Sequence, residues 1–196
     1  ESPTHEYLRI AQKDIHRLSS LVSQLREVYR PSAMDRKIAL SLKELLKEIY
    51  NLIEAQLTLQ NILWKVPDIP DDITIEGVHS QIIQLFLNIC LNAIEAMKDY
   101  PQGKIIIQCA PHPTEPLLGI SFQDSGKGIS ENDLPKIFDP YYSTKPTKIG
   151  LGLAVCNEII RQHNGKIEVQ STVGVGTTVT VWLPYGCSSQ TSTERE

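Results

Sequence analysis

The sequence has no long apolar run, no excess of positive charge and few cysteines. Its hydrophobic stretches fall far short of the ~18 residues that span a bilayer, so no membrane segment is expected within these 196 residues. Nineteen basic side chains against 23 acidic ones leave a net charge of -4. That balance gives no electrostatic footprint for nucleic acid as a partner. Cys90, Cys109, Cys156 and Cys187 show no C-x-x-C spacing. The first three lie in apolar segments and are expected as reduced core residues, which points to a reducing compartment. There is no signal-peptide pattern, and the chain opens on Glu1 rather than methionine. The expectation is a piece of a longer protein, with any membrane segment outside it. A hydrophobic content of 41% suffices for one core domain of roughly 150 residues plus an appendage.

What is present is a succession of clear periodic segments. Residues 6–30 carry Leu8, Ile15, Leu18, Leu21, Val22, Leu25 and Val28 at helical spacing, ended by Pro31. That stripe must be covered by a partner helix or in a dimer. His5 and His16 lie here, and His16 reads as a polar-face residue. Residues 32–37 read as a linker. A short strand is expected at Ile38–Leu40, then a helix to about Ala55, with Ser41 and Glu44 spaced as a capping box. Strands are expected at 61–66 and 73–75, a second strong helix at 78–99, and an antiparallel pair at 104–110 and 117–123. A short helix start follows Ser130, and a loop rich in hydroxyls, prolines and lysines follows Ile137. Gly150 opens a helix that Asn164-Gly165 closes as a left-handed cap. Two alternating strands at 166–170 and 177–183 complete the core, and a Ser/Thr-rich tail from Gly186 is expected to be disordered.

The chemistry centres on Asp124-Ser-Gly-Lys-Gly-Ile129. An acidic residue ends a strand, and two glycines permit close approach to a flat ligand. Such a carboxylate can accept from an exocyclic amine such as that of adenine. Alone, this pattern also fits an ordinary strand followed by a glycine turn. It gains force from Gly150-Leu-Gly-Leu153 and Gly174-Val-Gly-Thr177 downstream. Upstream, Asn88, Asn92 and Glu95 recur at i, i+4 and i+7, so they share a helical face. Burying two amides and a carboxylate together is expensive without a ligand or network. A solvated face is the alternative, but the apolar surroundings favour a ligand. Glycines entering a helix at Gly150 would turn free N–H groups toward phosphates.

In this order the segments resemble the ATP-binding catalytic domain of sensor histidine kinases of two-component systems. Asn88-Ile-Cys-Leu-Asn92-Ala-Ile-Glu-Ala is similar to the N box, Asp124-Ser-Gly-Lys-Gly to the G1 box and Ile137-Phe-Asp-Pro-Tyr-Tyr-Ser-Thr-Lys145 to the F box. Gly150-Leu-Gly-Leu resembles G2, and Gly174-Val-Gly-Thr resembles G3. The likeness covers residues 38–184, and its wording is similar to the nitrogen-regulation and sporulation-kinase subgroup. Residues 1–31 resemble the second helix of the dimerisation and phosphotransfer hairpin. His5-Glu6 lacks the proline of the acceptor motif, so the acceptor histidine is expected on a segment outside this sequence.

The resemblance implies an α+β fold, a two-layer α/β sandwich of the Bergerat type. Its mixed, mostly antiparallel sheet would carry helices on one face and be preceded by one long amphipathic helix. The implied domains are a partial hairpin helix at 1–31, a linker at 32–37, the catalytic domain at 38–185 and a tail at 186–196. ATP and Mg2+ are the implied ligands. Asp124, Gly126, Gly128 and Ile129 would hold adenine, and Asn88 and Asn92 the metal. Tyr142, Ser143, Thr144, Lys145, Gly150, Leu151, Gly152, Leu153 and Thr177 complete the implied nucleotide set. Lys145 is the expected cation at the γ-phosphate, its alternative being a solvated loop lysine. Related ATPases of the fold place a glutamate where Asn88 stands, and an amide cannot take a proton from water. Transfer to a histidine, then to a response-regulator aspartate, is therefore expected, from a homodimeric, cytoplasmic enzyme part. The alternatives are an anti-sigma-type serine kinase, or a nucleotide-binding or dimerising scaffold without catalysis.

Overall fold

Leucines and isoleucines at helical spacing build the first helix. The computed structural model describes residues 36–98, 100, 102–144 and 149–187. The helix expected at 6–30, Lys145 and residues 188–196 lie outside them. After strand β1 (Ile38–Ser41), helix α1 (Leu42–Leu59) buries Leu42, Leu45, Leu46, Ile49, Ile53 and Leu57. Ser41 Oγ accepts from the Glu44 N–H at 3.4 Å, one half of the expected capping box. The helix runs four residues past Ala55 because Leu57 still finds the core. Strands β2 (Leu63–Lys65) and β3 (Ile73–Gly77) follow, then helix α2 (His79–Ala96). Strands β4 (Lys104–Pro111) and β5 (Leu117–Asp124) form the expected antiparallel pair. The helix start expected after Ser130 is only a 3-10 turn at Leu134–Lys136, with Pro135 inside it. Helix α3 (Gly152–Gln162) starts two residues after Gly150 and closes with Asn164 in the left-handed region at φ 54°. Strands β6 (Lys166–Thr172) and β7 (Gly176–Cys187) end the fold.

The seven strands make one open sheet in the order β1-β3-β7-β5-β4-β2, with β6 also against β7. Every pair is antiparallel except β2 with β4. The long β7 explains the order. Residues 176–182 pair with β6, and residues 185–187 continue past it to pair with β3. Gly186 and Cys187 therefore belong to the sheet, where a disordered tail was expected.

Period-two alternation decides which face is covered. Leu118, Ile120 and Phe122 of β5, Ile105 and Ile107 of β4, and Val179, Val181 and Leu183 of β7 are all buried. They meet Ile82, Leu85, Phe86 and Ile89 of α2 in a single core. Phe86 and Phe122 pack with ring centroids 5.2 Å apart. Each fully buried side chain of this size contributes about 1.5–3 kcal/mol. The residues between them on the strands, such as Gln108, Ser121 and Thr180, face away from the helices. The expected α+β sandwich with helices on one face is the observed fold.

Candidate functional site

The alternation that buries Phe122 carries Asp124 to the same, helix-facing side, where it is 7% exposed. A carboxylate held there needs donors. Its Oδ1 accepts from the N–H of Gly126 at 2.8 Å and of Thr177 at 3.2 Å. Among the described residues no donor meets Oδ2. Burial pushes the Asp124 carboxyl above its usual range, and the two N–H bonds pull against that. Backbone braces one oxygen, and the other could accept from a ligand donor.

The glycine turn is closed by its neighbours. Gly128 has φ +71°, and a Cβ there would lie 2.2 Å from the Thr172 carbonyl oxygen. The Lys127 N–H donates to the Ala96 carbonyl at 3.1 Å, which ties the turn to the end of α2. Gly176 lies directly against the Asp124 carbonyl. Ser171 joins the two glycine segments. Its Oγ accepts from the Ile129 N–H at 2.8 Å and stands 2.8 Å from Thr177 Oγ1. Nothing local to the sequence marks Ser171, which is one polar residue of an alternating strand.

The start of α3 faces the asparagine helix. Asn88 Nδ2 donates to the Gly152 carbonyl at 3.4 Å. A Cβ at Gly152 would find Asn92 Nδ2 at 3.9 Å. Leu151 holds the N-cap position, and its own side chain makes no capping hydrogen bond. The first N–H groups of the helix are therefore available to an anion. Leu151 is buried, and Leu153 packs against the core, so both seat the helix start. Cys156 lies beneath, its thiol pushed up to about 12 by burial against the pull of the Asn88 amide.

The loop between β5 and α3 returns beside this helix start. The Tyr141 N–H donates to the Gly150 carbonyl at 3.1 Å, and Gly150 takes φ +75°. The Tyr142 hydroxyl, expected at a phosphate, donates to Asp133 Oδ1 at 2.6 Å. Ser143 and Thr144 are exposed. Sequence reasoning also missed His163. Its ring is 1% exposed, with Nδ1 2.8 Å from the Ile159 carbonyl and Nε2 accepting from the Val78 N–H at 3.0 Å. An acceptor Nε2 requires the neutral ring with its proton on Nδ1. His163 thereby ties the end of α3 to the start of α2.

Comparison with known proteins decides the family. The model of the histidine kinase-, DNA gyrase B-, and HSP90-like ATPases matches residues 77–186. This chain belongs to that family. Within it, the chain is the ATP-binding catalytic domain of a sensor histidine kinase. The catalytic domain of histidine kinase ThkA, nucleotide free, is 31% identical with a TM-score of 0.67, over 76% of this chain and 95% of that domain. ThkA in complex with the response regulator TrrA superposes at TM-score 0.74 with 27% identity, over 94% of this chain and 52% of ThkA. The sensor histidine kinase ZraS of Salmonella typhi is 35% identical over 190 residues, 92% of this chain and 38% of ZraS. The kinase domain thus spans about two fifths of the curated relatives' length. Among the described residues, no helix of this histidine kinase domain is long and apolar enough to cross a membrane.

Proposed function

We propose that this domain binds Mg2+ and ATP between α2 and the 142–150 loop, and transfers the γ-phosphoryl group to a protein histidine. The observation that carries the reading is Asp124, with Oδ1 braced by two backbone N–H groups and no donor on Oδ2 among the described residues. Adenine offers the matching exocyclic amine. The uncapped start of α3, with Ser143, Thr144 and Lys145, suits the phosphates.

Asn88 and Asn92 are the residues that would hold Mg2+. Their amide oxygens are hard donors of the kind this ion takes. Among the described residues no cluster of three acidic, histidine or cysteine ligands exists. When bound, Mg2+ would supply positive charge that offsets the charge on the phosphates. The chain's own part is to fix adenine at Asp124 and to lay the phosphates across the N–H groups of α3. In the transfer, a bond forms between the γ-phosphorus and a histidine nitrogen. The bond to the β–γ bridging oxygen breaks, and ADP leaves with that electron pair. Asn88 offers no base for water, which favours histidine as the acceptor.

The acceptor histidine belongs to another segment of the parent protein or of its partner in a homodimer. Relay to a receiver-domain aspartate is supported by the ThkA complex with TrrA. A cytoplasmic location is part of the same reading. The test is calorimetry of ATP with and without Mg2+, followed by labelled ATP and a separately supplied acceptor hairpin. Mg2+-dependent binding with acid-labile label on the hairpin is expected. Binding without label would leave the nucleotide site standing and remove the histidine assignment.

A further inference from the structure

We infer that Asp133, with Ser130, is a positioning residue that pins Tyr142 and thereby sets Ser143 and Thr144 against the start of α3. The inference rests on the nucleotide reading above and deepens it. Both Asp133 oxygens are engaged. Oδ1 accepts from the Tyr142 hydroxyl at 2.6 Å, and Oδ2 accepts from the Ser130 hydroxyl at 2.8 Å. Hydrogen bonds to an ionised carboxylate are the stronger kind. Asp133 is itself fixed, since its N–H donates to the Ser130 carbonyl at 3.0 Å. These bonds, Tyr142 first, hold the Asp133 carboxyl below its usual range, so the carboxylate persists at neutral pH.

Tyr142 is gripped at three further points. Its N–H donates to the Asp139 carbonyl at 3.2 Å, and the preceding N–H, of Tyr141, donates to the Gly150 carbonyl at 3.1 Å. A Cβ at Gly150 would lie 2.2 Å from the Tyr142 carbonyl oxygen, so only glycine lets that carbonyl pack this closely. The chain therefore leaves residue 142 in a set direction. The exposed residues Ser143 and Thr144 come next in the chain, and on this inference their hydroxyls are directed toward the helix start at Leu151. A phenol has one proton to donate, and here Asp133 takes it. Tyr142 then acts on the phosphates through the hydroxyls it places rather than through its own.

The two roles give opposite signs when Asp133 is removed. If the phenol were a direct phosphate ligand, Asp133→Ala would free its proton and remove a nearby negative charge. ATP would then bind as well or better. If Asp133 positions the loop, Asp133→Ala and Tyr142→Phe should each weaken ATP binding about three- to tenfold, the worth of one such hydrogen bond. Calorimetry of the full chain with Mg2+ and either ATP or ADP reads this. ADP affinity should stay within about twofold of wild type, because on this inference the set hydroxyls are assigned to the terminal phosphate. The double variant should be no weaker than either single one. Asp133→Asn keeps an acceptor oxygen for the phenol and should restore most of the affinity. Unchanged or tighter ATP binding by Asp133→Ala overturns the inference, as does an equal loss for ATP and ADP. A wild-type chain that binds no ATP would instead overturn the nucleotide reading itself.

Discussion

Asp124 shows how far one buried carboxylate can be read. On the proposed nucleotide reading, its protonation would set a pH limit on binding. Burial raises its pKa above the ordinary 3.8, and the N–H bonds from Gly126 and Thr177 only partly oppose this. A proton would settle on Oδ2, turning the acceptor into a donor that faces the adenine amine. ATP affinity should therefore be full at neutral pH and fall as pH drops through the raised Asp124 value, earlier than an ordinary aspartate would allow. Asp124→Ala should lose roughly 10- to 100-fold in affinity, the range of a hydrogen bond to a charged group. Asp124→Asn should be weak and should lack this fall. Calorimetry over a descending pH series checks both, and a wild-type slope in Asp124→Asn would remove Asp124 as its source. The acid at a strand end was legible in the sequence, and its helix-facing side follows from the strand's alternation. The braces on Oδ1 were only half legible, since Gly126 is two residues away and Thr177 is 53.

Helices α2 and α3 are joined by one imidazole that no helical pattern announced. His163 Nε2 accepts from the Val78 N–H at the start of α2, and a protonated ring would set donor against donor. Burial, and Lys37 to a lesser degree, lower its pKa from 6.5, while the Ile159 carbonyl and Glu76 oppose. The sign follows from linkage. The folded state resists a proton that the unfolded chain accepts, so the contribution is complete above about pH 6.5 and is lost as pH falls below it. Urea unfolding at pH 7.5 and 5.5 should show this loss. His163→Ala should lower stability by about 1–3 kcal/mol at pH 7.5, leaving a buried N–H without its acceptor. It should also lack this part of the pH slope, and an unchanged slope would assign it to other groups. Because α2 carries Asn88 and Asn92, ATP affinity should fall with stability in this variant.

The described fold is one core covered on one side of one sheet, and its thiols report on it as a whole. Cys90 and Cys156 are fully buried in that core, and burial pushes both thiols well above the usual cysteine range. Labelling needs a thiolate and access, so neither should react until the domain opens globally. Cys109, half-buried on β4 and pushed up to about 11, should react earlier. Mass spectrometry after timed alkylation at increasing urea separates the three sites. Rapid labelling of Cys90 or Cys156 without denaturant would mean that α2 and α3 part locally.

The boundary between what was legible and what was not follows the range of the forces. Apolar periodicity within each segment determined the helices, the strands, the covered face and the buried side of Asp124, because side-chain direction repeats every 2 or 3.6 residues. The motif residues Asn88, Asn92, Asp124, Gly150 and Gly152 were named by type and order. Strand order, the run of β7 past β6 to β3, and the meetings of Ser171 with Ile129 and of His163 with Val78 were decided only in three dimensions. Those contacts cross 42 and 85 residues. Nothing local sets them, since each depends on how whole elements stack once their apolar faces are buried.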